Sequence, residues 1–312
     1  MKPSKIRSIL FLGITLAFSI LIAYDYKIYT NNDIINSRFC NEINSEIGNL
    51  KTSALSGKIY INNNWSDART AGTCTGSGSY SDPYIIEDLI IDAGGAGNCI
   101  LVENSIEYFK IENCTLSNST GLNGAGIRFF NVTNGQILNN TVYDSFYGMA
   151  LNGSNDHIFI GNIISNCLTG IELLYSNNSR FYLNNLDNDI DIFYLYAHNN
   201  YYSEKKIIYT FNGENYTNYL GNYWSEYSGI DANNDGIGDS AFTIVPFEPG
   251  PGKSTLEDKY PLIKPVENYI IIGFKEAGLI PGYNLFILVG TIGISLLILL
   301  SKQKKFLSFN NY

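Results

Sequence analysis

Three short stretches decide the fold: Gly126-Ile-Arg-Phe129, Gly148-Met-Ala-Leu151 and Gly170-Ile-Glu-Leu173. They stand 22 residues apart and share one order of glycine, apolar, variable, apolar. One further period gives Phe193-Tyr-Leu195. The same spacing joins Ile137, Phe159 and Phe181, then Asn140, Asn162 and Asn184, then Asn155, Asn177 and Asn199. Columns that keep one register mean that each unit repeats its neighbour's conformation and stacks on it.

Within a unit, apolar alternation lasts about three residues before Gly, Asn or Ser breaks it, which is strand-and-turn chemistry and leaves no room for helices. The expected fold is all-β: a right-handed, single-stranded parallel β-helix with a C-terminal cap and terminal transmembrane helices. Successive strands then lie about 4.8 Å apart along the stack. This reading puts Phe129, Leu151, Leu173 and Leu195 in one inward apolar column. It puts the asparagines in amide ladders at the bends and the glycine column at turns needing positive φ. Upstream, Ile100-Leu-Val102 and Phe109-Lys-Ile111 follow the template with a longer unit, whose excess at Thr120 to Ala125 predicts a protruding loop. Ile85-Ile86 and Leu89-Ile-Ile91 supply the first coil.

Outside the repeat, Lys2, Lys5 and Arg7 precede an apolar run, so residues 1–24 read as a signal peptide or a signal anchor. Residues 25–56 are a polar spacer or short capping helix. Residues 57–202 hold the β-helix with its N-terminal cap, 203–264 the C-terminal cap with an Asp-rich loop, and 265–284 a juxtamembrane linker. Residues 285–301 are apolar enough to cross a bilayer, and 302–312 form a basic tail. Basic residues on the distal side of both apolar segments place both termini in the cytoplasm, unless the N-terminal signal is cleaved, and the bulk of the chain outside the cell. The expected partners are the membrane lipid bilayer and glycans or other surface proteins. A net charge of −9 on 312 residues excludes nucleic acid, whose phosphates need a basic face.

Export agrees with eight Asn-x-Ser/Thr glycosylation sequons, at Asn64, Asn113, Asn118, Asn131, Asn139, Asn152, Asn177 and Asn215. The five cysteines allow a disulfide, and Cys74 with Cys99, which bracket the start of the β region, is the expected pair. The loop Asp231-Ala-Asn233-Asn-Asp235-Gly236-Ile237-Gly-Asp239 spaces oxygen ligands as a Ca²⁺ loop does, with Gly236 at its sharp turn but no acid at Phe242. Asp187, Asp189 and Asp191 alternate along a strand-like stretch and are the candidate acids of a glycosidase or lyase, which needs carboxylates converging on one face. Tyr223 and Trp224 belong to a clustered set among 24 tyrosines; aromatic faces beside asparagine suit sugar rings.

The pattern "Gly-Ile-x-Leu … Asn-Asn … Ile-x-x-Asn" resembles the repeats of pectin-lyase-like proteins, and in particular their NosD-like, carbohydrate-binding and sugar-hydrolysis (CASH) branch. Leu220-Gly-Asn-Tyr-Trp-Ser-Glu-Tyr227, the Asp231–Asp239 loop, Asp258-Lys-Tyr-Pro-Leu-Ile263 and the opening Cys74-Thr-Gly-Ser-Gly-Ser-Tyr-Ser-Asp-Pro-Tyr84 are similar to archaeal membrane-anchored surface proteins of this type. The resemblance covers roughly residues 57–264. It implies the fold; the fold itself hosts enzymes, binders and structural proteins alike. It also implies copper, whose soft sites use His, Met and Cys. With His157, His198 and the inward Met149 as the donors besides cysteine, copper handling is poorly supported by the residues. The expected function is non-catalytic: cell-surface structure, adhesion or glycan binding. A polysaccharide lyase or hydrolase is the alternative, and a metal-handling accessory protein the next.

Overall fold

The structure, a computed structural model, describes residues 53–245 and 255–274. Both apolar terminal segments, most of the 25–56 spacer, and Cys40 lie outside the described residues. Among the described residues no helix is long and apolar enough to cross a membrane.

The repeat folds into a β-solenoid whose three parallel sheets run along the stack. One sheet holds seven strands, from Ala54–Leu55 to Tyr223–Trp224. A six-stranded sheet comprises Ile59–Asn62, Ile100–Ser105, Ala125–Val132, Tyr147–Asn152, Thr169–Leu174 and Ile192–Leu195. A five-stranded sheet runs from Tyr84–Glu87 to Arg180–Tyr182. The expected aromatic column forms: Ile137, Phe159 and Phe181 are register partners, and the last two rings stack at 4.4 Å. Full burial of each such side chain is worth about 1.5–3 kcal/mol. The stack starts earlier and ends later than the repeat alone indicates. Ile59–Asn62 is already a member of the six-stranded sheet, and Tyr223–Trp224 still pairs with Asn185–Asp187. A short helix, Trp65–Thr70, plugs the N-terminal end, its Trp65 ring stacked on Tyr84 at 5.1 Å.

The glycine column has a different reason from the one expected. Gly126, Gly148 and Gly170 are strand residues without positive φ. A Cβ on Gly148 would meet Ile164 Cγ2 at 2.4 Å and Gly170 O at 2.6 Å, so the column exists because two sheets meet too closely there for a side chain. The positive-φ bends are taken largely by asparagine, including Asn104, Asn113, Asn131, Asn139 and Asn166.

The register also changes in the last coil, which is one residue shorter. Ile171 pairs with Ile192 and Leu173 with Tyr194, so Tyr194 and not Leu195 continues the inward column. Asn177 Oδ1 accordingly accepts from His198 N and not from Asn199. The buried amide ladder Asn140–Asn162–Asn184 forms as expected and gains a fourth rung, Asn222. Beyond it, an antiparallel sheet of Ile207–Phe211, Glu214–Asn218 and Tyr269–Phe274 folds over the five-stranded sheet, where its Tyr209, Phe211 and Ile271 join Leu138, Ile160 and Tyr182 in a second core.

Candidate functional site

Most residues singled out in the sequence have structural work. Trp224 is fully buried; its Nε1–H donates to Asp258 at 2.9 Å and its ring stacks on Phe242, so it offers no face to a ligand. Tyr223 is half-buried against the cap's core. Cys74 and Cys99 do not form the expected disulfide: both are buried free thiols, Cys74 Sγ facing Trp65 O and Cys99 Sγ facing Ser119 Oγ. Asp187 and Asp189 are exposed, whereas Asp191 lies beyond a bend, partly buried, with Oδ1 accepting from the Asn188 backbone and amide. Burial pushes Asp191 up to about 6. The three acids therefore turn a corner instead of lining one face.

The Asp231 loop does bring its oxygens together, but they serve the loop's own amides. Asp231 accepts from Asp235 N and Gly236 N, Asn233 from Asp235 N, Asp235 from Ile237 N, and Asp239 from Ala232 N. Ile237 is buried and pairs with Leu262. Of the sequons, Asn64, Asn131 and Asn215 are exposed. Asn131 spends its Nδ2 on Asn104, and Asn118 spends its own on Asp92.

A different surface gathers chemistry. The seven-residue-wide bends 93–99 and 118–124 stack on one another through Gly95 N to Asn118 O at 2.8 Å; the latter holds the predicted protrusion except Ala125, which is a buried strand residue. They form a wall beside the outer face of the six-stranded sheet. On that face Arg128, Ala150 and Glu172 stand in register on three successive strands. Arg128 Nε donates to Asn98 Oδ1 at 3.2 Å and Nη2 to Asn123 O at 2.6 Å, one partner from each bend. Its guanidinium carbon sits 5.4 Å from the Tyr147 ring centroid. Glu172 is only 8% exposed, and its charge acts on both the Tyr147 hydroxyl and the Arg128 guanidinium. Burial first, and Glu172 second, push Tyr147 up to about 12, while burial draws Arg128 down. A tyrosine held that high is a hydrogen-bond donor at neutral pH and no general base. Ala150, outward-facing yet 1% exposed, is the floor between the two long side chains.

Three residues further along the same strands, the left-handed bend occupied by Asn104, Asn131 and Gly153 is occupied by Tyr175 and Tyr196. These two are 55% and 63% exposed, and their rings stack 5.4 Å apart at 19°. The repeat spacing puts Arg128 and Glu172 in one register column, whereas the wall that clasps Arg128 comes from irregular bends that carry no period.

A parallel β-solenoid with a mixed polar and aromatic outer face is the class that fold and surface define. The chain belongs to the family described as periplasmic copper-binding protein (NosD), which it matches over residues 13–229. Comparison with curated proteins and with solved structures gives no match. The described residues do not fit copper. His157 is fully buried among Phe109, Phe129 and Phe159, its Nδ1 accepts from Gly135 N, and burial draws it down to about 3. Met149 is sealed in the core and His198 lies on the exposed surface. Burial pushes the Cys114 and Cys167 thiols up to about 12 and 11, away from the thiolate a metal binds. Among the described residues no three His, Cys, Asp or Glu side chains are placed to share an ion.

Proposed function

We propose that the chain is an extracellular glycan-binding protein of the cell surface, tethered by its apolar terminal segments, and that the outer face of the six-stranded sheet is its binding surface. The observation that carries this reading is the Tyr175–Tyr196 pair. A bulky residue in the left-handed region costs roughly 1–2 kcal/mol. Earlier coils avoid that cost with asparagine and glycine, and here two successive coils accept it to hold two rings flat and exposed. Such faces stack on the apolar sides of sugar rings, and the Asn62–Asn104–Asn131 ladder along the same edge keeps the second N–H of each amide for sugar hydroxyls. Catalysis is the weaker reading: Glu172 has Ala150 and Phe193 as register neighbours, not the second carboxylate that glycoside hydrolysis requires. The test is a glycan array probed with the full chain in mild detergent. Binding that falls at least about tenfold in Tyr175→Ala/Tyr196→Ala supports the reading, and an array left blank by the wild type removes it.

A further inference from the structure

We infer that the antiparallel sheet of the cap docks on an anionic lipid surface by the end from which the chain leaves it, with Lys205 and Lys206 on headgroup phosphates and Tyr202, Tyr219 and Tyr260 in the interfacial layer. The inference takes the membrane tether from the reading above and adds to it a second, reversible contact.

The sheet has two unlike ends. At one end the hairpin turns at Asn212-Gly213 and Glu214 follows. Phe211 pairs there with Tyr269, and the Tyr269 and Tyr209 hydroxyls hold carbonyls of the loop that carries Asp231, Asp235 and Asp239. That end is acidic. At the other end Ile207 pairs with both Asn218 and Phe274, which brings Lys206, Tyr219 and the outgoing chain together. Lys205 and Lys206 are exposed and, among the described residues, make no ion pair. The adjacent acid, Glu204, is answered by Arg180. Lys206 Nζ stands 5.6 Å from the Tyr219 ring centroid. Tyr219, Tyr202 and Tyr260 are half-buried against one another, with ring centroids between 5.1 and 6.0 Å apart. Ile272, 50% exposed, adds an apolar side chain at the same end.

Lysine beside tyrosine is the side-chain set of a membrane interface. The ammonium meets phosphate, while the lysine stem and the ring lie among the headgroups and the hydroxyl stays wet. Connectivity favours a bilayer as the partner: the chain leaves the sheet at Phe274, and residues 275–284 alone separate it from the apolar stretch 285–301. Ten residues reach at most about 35 Å, so a tethered chain presents this end to the headgroups at high effective concentration. Charge decides which end makes the contact. A chain of net charge −9 is repelled by an anionic surface except where it offers cations. The acidic end lies about 15 Å away along the strand, beyond a screening length of about 8 Å at physiological salt, and does not cancel the attraction. The sequon at Asn215 also lies beside the hairpin turn, so a glycan there leaves the lysine end clear.

The test reconstitutes the full chain in vesicles of phosphatidylcholine, alone or with about one-third phosphatidylglycerol, whose acyl chains are brominated near the headgroup. Tyr219→Trp supplies a fluorescent reporter, because Trp65 and Trp224 are 2% and 0% exposed and the unmodified chain gives their baseline. The reporter is expected to be quenched in the anionic vesicles and less so in the neutral ones. Each lysine at an anionic surface is worth about fivefold in the ratio of docked to undocked chain. Lys205→Gln/Lys206→Gln, which alters exposed side chains alone, is therefore expected to lower that ratio about 25-fold and return the signal toward baseline. A Tyr60→Trp reporter in the first strand of the six-stranded sheet, at a position 57% exposed, is expected to stay unquenched. Absence of quenching in anionic vesicles, quenching that survives Lys205→Gln/Lys206→Gln, or equal quenching of both reporters overturns the docking. An alkaline carbonate wash judges the tether separately: a chain that washes off has no membrane anchor, whatever the reporter showed before the wash.

Discussion

Asp258 Oδ2 accepts the backbone N–H of Asn222 at 2.7 Å, so the buried amide ladder of the solenoid ends on a carboxylate delivered by the cap. The ladder runs Asn140, Asn162, Asn184, Asn222, each rung donating its amide to the next side-chain oxygen. Asp258 is wholly buried and also accepts from Trp224 Nε1 and Tyr260 N. A stack of exposed strand edges needs such an end, because an unfinished ladder leaves buried amides without partners.

That arrangement gives a pH signature. Burial pushes Asp258 up to about 7, against the pull of its donors. A folded-state value raised above the ordinary 3.8 means that the group's contribution is complete below about pH 4 and is lost as pH rises through 7. Urea unfolding at pH 5 and pH 8 is expected to show the wild type losing on the order of 2 kcal/mol relative to Asp258→Asn across that window. Asp258→Ala, which strands the Asn222, Trp224 and Tyr260 donors, is expected to cost about 3–5 kcal/mol at pH 5 and about 2 kcal/mol less at pH 8, where the wild type has lost its own pH-dependent share.

The glycines separate two kinds of constraint. Gly148→Ala forces a methyl to within 2.4 Å of Ile164 Cγ2 and 2.6 Å of a backbone oxygen, and is expected to cost about 2–4 kcal/mol. Gly153→Ala meets no atom within 4 Å and strains only a φ of 57°, so it is expected to cost about 1 kcal/mol. Denaturant midpoints of the two variants rank them; a reversed order would restore the turn explanation for the column.

Most of the fold was legible because stacking writes itself as a period. Leu173 and Leu151 could be paired from spacing alone. The period failed where it lost a residue: Ile190 to Leu195 is apolar at enough positions that a one-residue slip leaves its pattern plausible, and only the pairing of Ile171 with Ile192 reveals it. Asn222 falls outside the 22-residue spacing because the Ile207–Phe211 hairpin separates it from Asn184 in sequence. The burial of Trp224 is hidden for a similar reason, since the acceptor that lets its indole be buried, Asp258, arrives 34 residues later. The candidate site was half legible. Register puts Arg128 and Glu172 in one column, but Asn98 and the backbone of Asn123 reach Arg128 only through the packing of two irregular bends.

The Asp231 loop makes its own case about metal. Its carboxylates are occupied by Asp235, Gly236, Ile237 and Ala232 amides, and Tyr209 and Tyr269 hydroxyls hold the carbonyls of Asp235 and Gly236. A loop closed in this way keeps its shape without an ion. Removing Ca²⁺ with a chelator is expected to leave the melting temperature unchanged, and calorimetric titration with Ca²⁺ is expected to be flat. A rise of several degrees on adding Ca²⁺ would return the loop to the list of cation sites.

Tyr175 offers the sharpest separation of stability from function. If its ring were there for the fold, trimming it would destabilise the chain. Its bend is instead the one that Asn104 and Asn131 occupy in earlier coils, with φ near 54° in both and 51° at Tyr175. Asparagine tolerates that conformation and tyrosine does not. Against the strain, the exposed stack on Tyr196 returns about 0.5–1.5 kcal/mol at most. Tyr175→Asn is therefore expected to leave stability unchanged or raise it by about 0.5–1 kcal/mol in urea unfolding, while glycan binding falls at least about tenfold. A chain that is both less stable and unaltered in binding would mean that the pair belongs to the scaffold. Stability kept with binding lost is the pattern of residues held in strain for a ligand.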